Sequence, residues 1–147
     1  MLQCVSLTVR DLRKASEHLP FNSLLGVHIV RRHPDGVTIE CAVRDDLKNV
    51  SGYLHGGVAA SLADSAMGIG LASHFGGRRP VTTTELKINY LRAVKHGKLI
   101  ARSHILRVGR HLCVGRVDVF DGDRHLVAVA VVTYILLDPA AAARVAD

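Results

Sequence analysis

The chain has 147 residues with 19 Lys and Arg against 13 Asp and Glu, a formal charge of +6. That is one domain's length, long enough to bury roughly two thirds of its unfolded surface without disulfides or metal. Its basic residues are scattered and its aromatics make up only 4%, which argues against nucleic-acid binding, and a small phosphate-rich ligand fits a pI near 9.7 at least as well. Three cysteines, Cys4, Cys41 and Cys113, form no C-x-x-C pair, and no basic segment leads into an apolar one at the start; both point to a reducing cytoplasm.

In chain order, residues 8–18 read as a short helix with a polar face, and "PFNSLLG" as a helical turn ending at Gly26. Residues 27–33 and 36–43 are strands joined by the turn "HPDG", the second alternating Val37, Ile39, Cys41 and Val43 with polar or small residues. A polar loop, "RDDLKNVSGYLHGG", leads into an apolar helix over about residues 57–74. Four strands follow at 81–91, 98–108, 111–120 and 125–136, the last three linked by the tight turns "VGRH" and "DGDR" as a meander. Within the first of the four, Leu86, Ile88 and Tyr90 alternate with Glu85, Lys87 and Asn89, so one face is wet.

The stretch from Val58 to Ser73 carries one charged side chain, Asp64. It is shorter than the ~20 residues a membrane span requires and rich in Gly, Ala and Ser, so it reads as a core helix. A helix apolar on every side must be enclosed, and the only material available is the sheet, which has to curl around it. A carboxylate in such a run is costly unless it is hydrogen-bonded locally, for example to Ser61, or used as a base or nucleophile.

The order β-β-α-β-β-β-β, with "HGG" opening the central helix and an acid seven residues on, resembles the hotdog fold, specifically the PaaI-like acyl-CoA thioesterases. The likeness runs over about residues 19–137 and rests on the pattern N-x(5)-H-G-G-x(6)-D, here Asn49, His55, Gly56, Gly57 and Asp64. It implies an α+β domain with an antiparallel sheet wrapped around one long helix, the hydrolysis of acyl-CoA to free acid and coenzyme A, and no cofactor beyond the coenzyme A of the substrate.

Thioester hydrolysis needs a stabilised oxyanion and an activated nucleophile at one carbonyl carbon. The unpaired N–H groups at a helix N-terminus suit the first, with Gly57 the expected donor and Gly56 allowing close approach of the substrate. Asp64 suits the second. Asn49 would hold a water or the carboxylate, and His55 would fix the loop or contact the thioester. The resemblance adds a hydroxyl near the acid, for which Thr83 stands between Thr82 and Thr84.

Arg107 and Arg110, with Arg78, Arg79 and Lys87 behind them, are candidates for the phosphates of coenzyme A. No metal-ligand spacing occurs among the nine histidines, so no metal is expected.

Gly57 and Asp64 lie about 10.5 Å apart along one helix, whereas donor and attacking group must both sit roughly 3 Å from the reacting centre. A two-fold axis between antiparallel helices solves this by sharing each site between two chains, so a homodimer is expected, and the resemblance adds a dimer of dimers. Two alternatives remain: an enoyl-CoA hydratase or dehydratase on the same fold, against which the missing His-Phe-Pro-Gly stretch counts, and a non-catalytic acyl-CoA binding or sensing protein.

Overall fold

The computed structural model describes residues 7–140; Cys4 and the ends of the chain lie outside the described residues. Helix α1 (Val9–Ser16) starts at Thr8, whose hydroxyl accepts the Asp11 N–H while the Asp11 carboxylate accepts the Thr8 N–H. This reciprocal cap fixes the start of the helix. Helix α2 (Pro20–Leu25) has proline in its first turn and ends at Gly26, whose φ of +70° is left-handed.

Strands β1 (His28–His33) and β2 (Gly36–Ala42) form the expected hairpin, and a short 3₁₀ turn (Asp45–Leu47) leads toward α3 (Gly56–His74). Strands β3 (Val81–Tyr90), β4 (Lys98–Val108), β5 (Leu112–Asp121) and β6 (Leu126–Leu136) complete one antiparallel sheet in the order β1-β2-β4-β5-β6-β3. The meander β4-β5-β6 is as the turns indicated. Helix α3 and the short connection after it take β3 to the far edge of the sheet, where it pairs with β6 alone.

Helix α3 touches β2, β3, β4, β5 and β6. Five strands laid flat span about 19 Å and a helix is only about 10–12 Å wide, so these contacts require the sheet to curve around it. Leu62, Ala66, Met67 and Leu71 are fully buried on the concave side. A side chain at Gly115 would overlap the Met67 sulfur, so glycine there lets the helix close on β5.

Enclosure is incomplete, however. Gly57 is exposed and Ala60, Ser61, Asp64 and Gly68 are half-buried, leaving a stripe of small residues along α3 where the apolar run suggested burial on every side. Nothing larger than a hydroxyl or the single carboxylate stands on that stripe. No helix of the described residues is long and apolar enough to cross a membrane.

Candidate active site

The loop before α3 is built around Asn49. Its Oδ1 accepts the N–H groups of Ser51 (3.0 Å) and Tyr53 (3.2 Å), and its own N–H donates to the Tyr53 carbonyl at 2.7 Å. The side chain therefore folds the loop back on itself. His55 follows as the N-cap of α3, and its Nδ1 accepts the Gly57 N–H at 2.9 Å. An accepting Nδ1 places the proton of the neutral ring on Nε2.

This hydrogen bond separates the two glycines. The Gly57 N–H is occupied by His55, whereas the Gly56 N–H has no partner among the described residues. The carbonyl of the Gly56–Gly57 peptide accepts the Tyr90 hydroxyl at 2.9 Å, so this peptide is held at both ends. Held this way, the helix start presents one free donor carrying the positive end of the helix dipole.

A cavity of about 520 Å³ opens beside it, bordered on its polar side by Asn49, His55 and Gly56. Gly57 does not line this cavity; it borders a shallower hollow with Leu47, Val58 and Ser61.

Asp64 sits two turns further along α3, on the half-exposed stripe. Its Oδ1 accepts the Thr83 hydroxyl at 2.8 Å and the Tyr134 hydroxyl at 2.7 Å, and Tyr134 also lies 2.8 Å from the Asp64 carbonyl. Oδ2 accepts no hydrogen bond among the described residues. Burial, reinforced by the adjacent carboxylate and only partly offset by Thr83, pushes the Tyr134 phenol far above its usual range, so it stays a donor. One carboxylate oxygen is thus clamped and the other open.

A β-bulge explains how Thr83 arrives there. Thr83 pairs with Tyr134 and Glu85 with Thr133, so Thr84 is an extra residue in β3. The extra residue shifts the alternation by one. Thr83 therefore shares the inner face with Leu86, Ile88 and Tyr90, which strict alternation from Leu86 would have denied it. Thr84 instead donates to the Thr133 carbonyl at 3.1 Å.

The basic candidates lie elsewhere in the chain. Lys87 is opposite the exposed Val131 on the outer face of the sheet, and its Nζ donates to Asn89 Oδ1 at 3.2 Å. Arg107 and Arg110 are exposed at the β4–β5 end, at the opposite end of β3 from the cavity.

Asp121, Asp123 and His125 in the β5–β6 turn bring potential ligand atoms within 4.8 Å of one another. Bonds to the N–H groups of Asp123 and His125 and to the His125 ring already engage the Asp121 carboxylate, and none of the three lines the cavity.

Sequence reasoning missed Tyr90 and Tyr134. A signal was available for Tyr134, a tyrosine within an apolar strand, since a buried tyrosine hydroxyl needs a partner; Tyr90 is exposed at the end of β3 and offers no such signal.

A single long helix held in a curved antiparallel sheet, with a free N–H at its start and a hydroxyl-clamped acid two turns on, defines the hotdog fold and a site suited to acyl transfer. The family model for the thioesterase superfamily matches residues 51–128, and the chain belongs to this superfamily. The solved structure of the conserved protein PA5202 from Pseudomonas aeruginosa superposes with a TM-score of 0.79 at 31% identity, covering 84% of this chain and 98% of that one. The medium/long-chain acyl-CoA thioesterase YigI of Salmonella typhimurium is 28% identical over 81% of this chain and 86% of its own length. Human acyl-coenzyme A thioesterase 13 is 28% identical over 80% of this chain and 83% of its own.

Proposed function

We propose that this protein hydrolyses acyl-CoA thioesters to a free acid and coenzyme A at a site shared between two copies of the chain. The observation that carries the reading is the Asp64 carboxylate, clamped through Oδ1 and free at Oδ2. In this mechanism Oδ2 takes a proton from water as the water oxygen adds to the thioester carbonyl carbon. The free Gly56 N–H stabilises the resulting oxyanion, the role that the sequence reading of the helix N-terminus gave to Gly57. Collapse then breaks the carbon–sulfur bond, and the departing thiolate takes up the proton held by Asp64. Relatives named as acyl-CoA thioesterases support the substrate class.

Gly56 and Asp64 are eight residues apart, about 12 Å along α3, too far to act on one carbonyl within a protomer. Two features support a two-fold solution: the stripe of small residues on α3 and the open edge of β3. Antiparallel pairing of two β3 edges would set the partner's Asp64 near Gly56. It would also turn the Val81 end of the partner's β3 toward this cavity, and with it the β4–β5 end that bears Arg107 and Arg110. A reducing cytoplasm, expected from the cysteine pattern, is part of this reading; Cys41 and Cys113 are buried and form no disulfide among the described residues.

The test is thiol release from a panel of acyl-CoAs by wild type and Asp64→Asn. Turnover by wild type, reduced at least ~10²-fold in the folded variant, is expected. Binding without turnover indicates a sensor, and loss of the substrate double bond without thiol release indicates a hydratase.

A further inference from the structure

We infer that α1 seals a second self-pairing edge of the sheet, at β1, and so confines edge-to-edge association of this chain to β3. The two outer strands differ sharply. Strand β3 runs for ten residues, and among the described residues nothing bonds its backbone on the side away from β6. Strand β1, at the other edge, is covered. Arg13 and Glu17, one turn apart on α1, act on a single residue there. Nε and Nη2 of Arg13 donate to the Ile29 carbonyl at 2.9 and 2.8 Å, and Glu17 Oε1 accepts the Ile29 N–H at 2.7 Å. Just before it, the Val27 N–H donates to the Asn22 carbonyl at 2.9 Å.

In an antiparallel ladder each hydrogen-bonded pair of residues exchanges two N–H···O bonds. Helix α1 supplies Ile29 with the donor and the acceptor that such a partner would bring. The strand it displaces is β1 of a second copy, paired Ile29 to Ile29 about a two-fold axis. Other contacts hold the helix itself: Leu12 and Ser16 are buried, and Asn22 donates to the Ser16 carbonyl at 2.9 Å. Arg13 and Glu17 are thus spent on the strand edge.

The consequence is a limit on assembly. One open edge ends pairing at two copies, whereas two edges, each with its own two-fold axis, let copies add without end. Pairing through β3 belongs to the shared-site reading above; the seal on β1 stands apart from it.

The experiment is sedimentation velocity on wild type and on Arg13→Ala/Glu17→Ala, with circular dichroism as the check on folding, over a ~50-fold range of protein concentration. Wild type should keep one size throughout. In the double variant the average mass should at least double at the highest concentration, and hydrogen exchange should show the Ile29 amide protected inside the enlarged assemblies. Glu17→Gln, whose amide oxygen can still accept the Ile29 N–H, should behave as wild type, and so should Arg10→Ala/Lys14→Ala, two exposed side chains of the same helix. If the double variant does not fold, Glu17→Ala, which frees only the N–H, is put to the same measurement.

A folded variant that keeps the wild-type mass overturns the seal. So do enlarged assemblies in which the Ile29 amide exchanges freely, since those have joined elsewhere. A monomeric wild type overturns the β3 pairing and the shared site instead; the seal is then upheld by a variant that dimerises with Ile29 protected, and overturned by one that stays monomeric.

Discussion

Asp64 is held by two hydroxyls on the same oxygen, and the difference between those donors matters. Thr83 reaches it from an edge strand, whereas Tyr134 comes from β6 inside the sheet, 5% exposed, and also bonds the Asp64 carbonyl. Tyr134 therefore ties the carboxylate and the helix backbone to one rigid strand, and it aims Oδ2 by fixing Oδ1. Tyr134→Phe should lower stability by about 1 kcal/mol, the net contribution of a typical hydrogen bond. If orientation of Oδ2 is its task, kcat should fall roughly ten-fold with KM nearly unchanged, since the hydroxyl touches the acid and not the bound substrate. Steady-state kinetics beside a urea titration separates the two effects: a stability loss with unaltered kcat makes Tyr134 a packing residue only.

At the scale of elements, the order of strands and helices was legible because alternation and the long apolar run are local signals. Asp64 was legible for the same reason, as one charge in a run that otherwise carries none. The threonine run could not disclose its register: Thr82, Thr83 and Thr84 give no apolar alternation, and the bulge that selects Thr83 is set by pairing with β6, nearly fifty residues on. The Gly56–Gly57 distinction was equally hidden, because it depends on which N–H the His55 ring turns toward.

That local arrangement also bears on the start of α3. With the Gly56 carbonyl held by Tyr90 and the Gly57 N–H by His55, the helix start cannot rotate without breaking a bond. Tyr90→Phe should consequently lower kcat several-fold and leave the fold intact, because the hydroxyl reaches an otherwise exposed helix end. Amide exchange at the first turn of α3 should quicken in the same variant. A kcat loss with unchanged exchange would assign Tyr90 a direct part in the substrate contacts and refute its bracing role.

For the whole molecule, the proposed sharing of each site between two chains makes a prediction that neither residue alone can make. Asp64→Ala removes the acid. Gly56→Pro removes the free N–H and suits its position: proline is favoured in the first helical turn, and His55 before it already has the extended ψ of 135° that proline requires of its neighbour. Among the described residues the Gly56 N–H has no hydrogen bond to lose, although the Tyr90 ring, 3.2 Å from a Cβ placed there, must yield by a few tenths of an ångström. Each homodimer should be inactive for a different reason. In a mixed dimer one site retains both Gly56 and Asp64 while the other has neither, so random pairing of co-expressed chains should restore roughly a quarter of wild-type activity. Light scattering and circular dichroism establish that both variants fold and pair. If mixed dimers purified through two different tags show no recovery, the acid and the donor act within one chain, and α3 must bring them together by some route other than the two-fold axis.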